Sequence, residues 1–390
     1  MKKLAIITTH PIQYYAPWFK LLAERKNIQI KVFYTWGEGV LQDKYDPGFG
    51  RSIQWDIPLL EGYDYSFEKN IAKDKGSHHF GGIVCPELIK NITAWSPDAL
   101  LVIGWAYNAH LRVMRHFKGR KPILFRGDST LLDEKEGFSV KKMLRWAFLK
   151  WVYKHVDIAL YVGTNNRKYY KRFGLKDQQL VQAPHAIDNT RFVDATGKYE
   201  SEASKWRNNL CIPENAVVFL FTGKFEQKKA PQLLLQAFLD VNCKNAHLIF
   251  VGSGILENEL KDKAEKNPNI HFIEFQNQSM MPIVYRLGDV FVLPSEGPGE
   301  TWGLAINESM ASGRCIIASD KCGGAVDLIS DEYGNIFPAN DIDALERCIS
   351  KWAQHTRKDL AILGNKAQVS VKEFNFERIV DAIENCVEGK

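Results

Sequence analysis

Two acidic side chains, Glu300 and Glu308, stand eight positions apart in the segment Pro298-Gly-Glu-Thr-Trp-Gly-Leu-Ala-Ile-Asn-Glu-Ser-Met-Ala-Ser-Gly313. An ionised carboxylate only accepts hydrogen bonds, so such a pair suits the hydroxyls of a sugar. Upstream, residues 289–294 read as a short apolar strand, and Gly297, Pro298 and Gly299 impose a loop, so a helix begins only near Gly303. Glu300 then lies on the loop and Glu308 in the first or second helical turn. The amides around 302–305, unpaired at a helix start, aim at the same space and favour an anion such as a diphosphate. Two glutamates at this spacing are also common as solvated helix charges, so the surroundings must decide.

A second cluster lies upstream. Val217-Val-Phe-Leu-Phe221 reads as a buried strand, and Pro231 with Leu233, Leu234, Leu235, Ala237 and Phe238 as a helix with proline in its first turn. Between them runs Lys224-Phe-Glu-Gln-Lys-Lys229. Cations between the carboxyl end of a strand and a helix start occupy the place where an open α/β sheet binds its ligand. An ordinary solvated lysine cluster is the competing reading. Gly252-Ser-Gly254 follows another strand, but Glu257 stands where a dinucleotide fingerprint needs its third glycine, which argues against a nicotinamide enzyme.

The order of Pro294-Ser295, Glu300-Thr-Trp-Gly-Leu, Asn307-Glu308-Ser-Met-Ala, Gly313, a strand at 315–319 and Gly323-Gly324 before Asp327 resembles the retaining glycosyltransferases of family 4, the bacterial polysaccharide and lipopolysaccharide type group 1 enzymes. The resemblance implies an α/β protein of GT-B fold, two doubly wound Rossmann-like domains facing a central cleft. It implies that Glu300 lies at the donor sugar, that Glu308 holds the ribose, and that the amides of Gly303 and Leu304 meet the diphosphate. Segment 224–229 resembles the family's Gly-Arg-x4-Lys element, which assigns Lys224 and Lys229 to the same diphosphate. A lysine at 224 keeps the charge of the usual arginine but loses its two-pronged hydrogen bond. The spacing before Glu300 is lengthened by residues 296–299, and Asp327 replaces the usual glutamate; both departures concern sugar selection. By the same resemblance Gln276 and Asn277 lie near the nucleotide base, and no metal or other cofactor is needed, the nucleotide-sugar being a substrate.

The first half carries the acceptor-side candidates. His10 and Gln13 follow the first strand at its carboxyl end. Asp128, in Arg126-Gly-Asp-Ser129, stands near where many relatives have a histidine, and is the expected carboxylate partner of donor sugar or acceptor. His110 is a further acceptor-side candidate. Each has a structural alternative as a turn cap or core residue.

With 390 residues the chain is comfortable as two domains. Strands alternate with helices in both halves, giving expected domains at 1–190 on the acceptor side and 191–373 on the nucleotide-sugar side. Residues 374–390 form a helix that, by resemblance, packs back on the first. The stretch 35–80 reads as loops and the polar run 194–209 as an outward excursion. The net charge of 51 minus 46, or +5, suits an anionic donor and does not by itself indicate nucleic acid, for which no zinc spacing or recognition helix is present. Seven scattered cysteines without Cys-x2-Cys spacing fit core residues in a reducing cytoplasm. The first residues read as a strand, not a leader, and no window approaches a membrane span. Helix 138–155 mixes Lys141, Lys142, Arg145, Lys150 and Lys154 with Trp146, Phe148 and Trp151, so it either buries one apolar face or docks on an anionic membrane at the inner face.

The expected function is transfer of a hexose, with retention, from a UDP- or GDP-sugar to a saccharide or lipid-linked acceptor in surface glycan synthesis. A sugar-nucleotide epimerase of the same fold and a noncatalytic nucleotide-sugar-binding partner are the alternatives.

Overall fold

In a computed structural model of the chain, residues 1–38, 44–46, 51–53, 55–134, 137, 139–265 and 267–389 are described. The strands are β1 (Lys3–Thr8), β2 (Gln29–Tyr34), β3 (Lys44–Asp46), β4 (Arg51–Ile53), β5 (Tyr65–Phe67), β6 (Ala99–Ile103), β7 (Ile123–Arg126), β8 (Ile158–Tyr161) and β9 (Leu180–Gln182). They continue with β10 (Val217–Lys224), β11 (Ala246–Ser253), β12 (Ile270–Ile273), β13 (Val290–Leu293), β14 (Cys315–Ser319) and β15 (Gly334–Phe337). Two compact units result: 1–44 with 58–185 and 376–390, and 45–57 with 186–375. The division falls between His185 and Ala186, a few residues before the position expected from sequence.

The first unit carries a seven-stranded parallel sheet in the order β5-β2-β1-β6-β7-β8-β9, and the second a six-stranded parallel sheet in the order β12-β11-β10-β13-β14-β15; β3 and β4 pair as a small ribbon. Parallel strands covered by helices on both faces must be apolar on both faces, which is why β6 reads Ala-Leu-Leu-Val-Ile and is buried throughout. These are two Rossmann-like α/β domains. In each, the chain starts in the middle and reverses direction across the sheet, between β1 and β6 and between β10 and β13. At such a switch point the loops leaving neighbouring strands part and leave a crevice at their carboxyl ends.

Two sequence expectations change. The polar run 194–209 contains a helix, Lys198–Asn209, whose Arg207 is buried and reaches Asp289 at 3.1 Å while donating to the Ala216 carbonyl at 2.7 Å. A charged side chain tolerates burial when its partners are all supplied, and here they come from distant parts of the chain. Within 35–80, where loops were expected, Tyr65–Phe67 adds an edge strand to β2; 39–43, 47–50 and 54 lie outside the described residues, as does Phe138 of the basic helix. The closing helix Phe376–Glu388 packs on Ala16–Arg25 of the first unit, where Arg25 bonds Asp381 and Glu384 and Lys2 donates to the Val387 carbonyl. All seven cysteines are free, with Cys85, Cys315 and Cys322 buried and Cys211 exposed.

Gly252 shows why the Gly-Ser-Gly turn needs its glycine. It pairs with Gly223 in register at φ +144°, and a Cβ there would stand 2.0 Å from the Gly223 carbonyl oxygen. Gly252→Ala is expected to cost about 2–4 kcal/mol through overlap and backbone strain. Thermal unfolding would read this as a drop of several degrees, and an unchanged midpoint would show that β10 and β11 part easily here.

Candidate functional site

β10 ends at Lys224, and a short 3-10 turn, Gln227–Lys229, leads into helix Pro231–Val241. β13 leads into Ser295 and the glycine-rich loop, which enters helix Leu304–Ala311 at Gly303. β10 and β13 are neighbours at the switch point, so these two loops emerge side by side. The Glu296 amide donates to the Lys228 carbonyl at 3.0 Å, joining them through the backbone. Above that link Lys229 Nζ forms an ion pair with Glu300 Oε2, and Ser295 Oγ donates to the same oxygen at 3.0 Å. Ser319, at the end of β14, fixes Ser295 by donating to its carbonyl. Burial alone would lower the Lys229 pKa, but the Glu300 carboxylate outweighs it and holds the amine above its ordinary value. Lys229 is therefore a fixed cation. Cys322 lies beside the pair, but burial and then the Glu300 charge push its thiol up to about 12, so it is not a nucleophile.

Gly303 has φ +90° and lets the loop turn directly into the helix, whose first amides have no intrahelical acceptor. The loop is pinned from below. Trp302, buried, donates from Nε1 to Asn307 Oδ1 at 2.8 Å, and Gly323 and Gly324 donate to the carbonyls of Glu300 and Trp302. A Cβ on Gly324 would meet the Trp302 ring at 2.7 Å, which accounts for the second of the paired glycines. Glu308 is 3 % exposed, accepts from the Tyr285 hydroxyl at 2.7 Å, and has Arg191 4.0 Å from its other oxygen. Tyr285 and Arg191 were not singled out from the sequence. Tyr285 sits on a short helix, Met281–Arg286, with nothing local to mark it, whereas Arg191 lies on the short helix Asn189–Phe192, where its charge was the available signal.

The structure thus brings Lys229, Glu300, Gly303, Leu304 and Glu308 together on two adjoining loops of the second unit and the helix Leu304–Ala311 that one of them enters. Lys224 is part-exposed at the tip of β10, opposite Ser253 in register. Gln276 and Asn277 lie beyond β12, two strands away, where their side chains bond their own loop at the Glu274 carbonyl and the Gln278 amide.

In the first unit, His10 is part-buried, its Nδ1 2.9 Å from Thr9 Oγ1 and its ring edge-on to Trp36; Gln13 follows it, part-buried. Asp128 follows β7, with His185 Nε2 3.7 Å from its carboxylate. Burial lowers the His185 pKa although Asp128 opposes the shift. Arg126, also buried, spends its guanidinium on the Ala183 and Pro184 carbonyls, so it braces the strand ends around Asp128. His110, expected on the acceptor side, is instead fully enclosed: Nδ1 is 2.8 Å from the Gly104 carbonyl and Nε2 2.9 Å from Thr35 Oγ1. With no exposed atom it serves the fold.

Helix Val140–Tyr153 has two apolar stripes. Leu149, Val152 and Tyr153 enter the core, while Val140, Met143, Leu144, Phe148 and Trp151 are exposed, Leu144 by 64 %, with Lys141, Lys150 and Lys154 exposed beside them. No described helix is long and apolar enough to cross a membrane.

Residues 202–369, which contain the Lys229 and Glu300 loops, match the family described as Glycosyl transferases group 1. Among curated proteins, sulfoquinovosyl transferase SQD2 of Arabidopsis thaliana is 25% identical over 247 residues, covering 62% of this chain and 46% of that protein. The GDP-mannose-dependent alpha-mannosyltransferase of Mycolicibacterium smegmatis is 24% identical over 305 residues, covering 77% and 76%. The chain spans about half the length of several of these relatives. Among solved structures, sucrose-phosphate synthase from Thermosynechococcus elongatus aligns with a TM-score of 0.75 at 17% identity over 100% of this chain and 99% of that one. Anabaena HepE in complex with UDP and glucose aligns with a TM-score of 0.69 at 17% identity over both whole chains. The family match places residues 202–369 among sequences similar to group 1 glycosyl transferases, the relatives carry that similarity beyond this segment, and the solved structures share the two-domain GT-B fold.

One pH dependence follows from the enclosed histidine. Burial pushes the His110 pKa down to about 4 from 6.5, so the unfolded chain takes up a proton that the fold resists. The associated stability is fully present above pH 6.5 and is lost as pH falls toward 4, by about 3 kcal/mol in total. Urea midpoints between pH 7 and 4 should fall less steeply for His110→Gln than for the wild type; identical slopes would remove His110 as the source.

Proposed function

We propose that the chain transfers a hexose from a UDP- or GDP-sugar to a saccharide or lipid-linked acceptor, with retention, in surface glycan synthesis. The observation that carries this reading is the junction of Lys229 and Glu300 over a helix start, a cation and a sugar-hydroxyl acceptor side by side. In it, Lys229, Lys224 and the amides of Gly303 and Leu304 neutralise the donor diphosphate, and Glu308, held by Tyr285, accepts the ribose hydroxyls. Glu300 accepts from the donor sugar, Gln276 and Asn277 lie toward the base, and Asp128 with His10 and Gln13 attends the sugar or acceptor. As the anomeric carbon loses its phosphate oxygen and bonds the acceptor oxygen on the same face, the acceptor proton passes to the departing phosphate. Fixed cations and amides stabilise the growing negative charge, so no metal takes part. HepE, whose solved complexes contain UDP, UDP and glucose, or UDP-glucose, shares the fold and supports a uridine donor as the first to test. The family match and the relatives give no support to the epimerase or noncatalytic alternatives.

Glu300→Gln is expected to lower turnover roughly 100-fold or more with the fold intact. Lys229→Ala should weaken UDP or GDP far more than the free nucleoside. Calorimetry against all four ligands, after a thermal-shift screen of UDP- and GDP-sugars, decides the second point: equal losses for nucleotide and nucleoside would refute the phosphate role. Consumption of nucleotide-sugar without acceptor, giving an interconverted sugar, would overturn transfer itself.

The outward stripe of helix Val140–Tyr153 supports peripheral docking on an anionic lipid surface, because exposed aromatic and aliphatic side chains flanked by lysines gain from insertion and from charge together. The protein is expected to sediment with phosphatidylglycerol vesicles and not with phosphatidylcholine vesicles. Leu144→Glu combined with Trp151→Glu should abolish this; equal binding by that variant would place the contact elsewhere.

A further inference from the structure

The segment Asp74-Lys-Gly-Ser-His-His79 belongs to the first unit and contributes neither to its sheet core nor to the donor-side loops. It nevertheless has a defined shape. Gly76 donates to the Gly82 carbonyl at 3.1 Å and Gly82 to the His79 carbonyl at 3.1 Å, closing the turn on itself. Both rings point back at Asp74, with His78 Nε2 3.0 Å and His79 Nε2 3.4 Å from its Oδ2, the latter nitrogen also 3.1 Å from the Asp74 carbonyl oxygen. All three ligand atoms lie within 4.8 Å of one another. Gly76 is part of this arrangement, since a Cβ there would stand 2.4 Å from His78 Nδ1 and push the ring away.

We propose that Asp74, His78 and His79 form a site for a transition-metal ion of the zinc class. Ligands about 2.0–2.1 Å from a tetrahedral Zn2+ stand roughly 3.3 Å apart, which is the spacing the carboxylate oxygen already keeps from both imidazole nitrogens. Two imidazoles and one carboxylate suit Zn2+, Co2+, Ni2+ or Cu2+, whereas Mg2+ and Ca2+ require oxygen ligands. Three protein ligands leave the fourth position for water or another oxygen donor. The rings are exposed, so the ion enters without opening the core.

The placement gives the ion something to act on. Ser77, inside the loop, lies near the Tyr107 side chain; Tyr107 follows β6, packs edge-on against His110 at 5.1 Å, and feels the charge of Asp128 beyond β7. An ion on Asp74, His78 and His79 therefore fixes a loop that leans on the strand ends carrying Asp128. The donor chemistry proposed above does not pass through it.

The test uses untagged full-length protein freed of metal by a chelator. Calorimetric titration with Zn2+ should show one equivalent bound, unaffected by excess Mg2+. His78→Ala combined with His79→Ala, and separately Asp74→Asn, should lose that equivalent with unchanged thermal unfolding, because these side chains are exposed. Titration with Co2+ should give the visible absorption of a tetrahedral site without a thiolate charge-transfer band. No stoichiometric uptake by the wild type overturns the proposal. So does equal uptake by the double variant, or a thiolate band that disappears with Cys211→Ser, which would assign the ion to the exposed cysteine.

Discussion

The ion pair between Lys229 and Glu300 organises the second unit's candidate site. It ties the turn after β10 to the loop after β13, and these strands are the neighbours between which the sheet reverses. A lysine on a flexible stem is ordinarily a mobile point charge. Here the carboxylate fixes its position and raises its pKa, while Ser295 and the Glu296 amide bond to Lys228 keep the loops in contact. In the proposed reading a diphosphate competes with Glu300 for the amine, and a sugar hydroxyl can then take the place of the amine at Glu300. One pair would thus hold both groups ready before a donor arrives and hand each to its part of the donor.

That arrangement relies on rigid support. The Trp302 ring under Gly324, its bond to Asn307, and the two glycine amides on the Glu300 and Trp302 carbonyls remove the freedom that three glycines would otherwise give loop 297–303. Glycine is needed at 303 for the turn and at 324 for close approach, so the site's precision comes from packing around the glycines. The first unit treats Asp128 similarly: Arg126 is consumed by the Ala183 and Pro184 carbonyls, and the carboxylate projects from a braced strand end.

Much of the fold was legible because buried parallel strands carry continuous apolar runs, and β1, β6, β10, β11, β13 and β14 each contain one. β5 and β15 escaped notice because Tyr-Ser-Phe and Gly-Asn-Ile-Phe are too short to show a period. Helix Lys198–Asn209 was obscured by its polarity, since the partner that permits Arg207 to be buried is Asp289, far away in the chain. In the site, residue types revealed the carboxylates and lysines, but not Tyr285, which reaches Glu308 only through tertiary packing. His110 could be read either as a ligand or as core, and only burial distinguishes the two.

Glu300 and Glu308 illustrate a division of labour that spacing alone cannot express. Glu308 is almost entirely buried on the second turn of a helix, with a tyrosine hydroxyl on one oxygen and an arginine near the other, so moving it would uncover an unpaired charge. Glu300 sits on a loop, more open, and bonded to a lysine that has another proposed use. A group meant to hold an invariant part of a ligand, such as a ribose, gains from being immovable. A group that must follow a sugar through reaction gains from partners that can be exchanged. The burial of the two carboxylates therefore agrees with the order of roles proposed for them, the inner one for the nucleotide and the outer one for the group transferred.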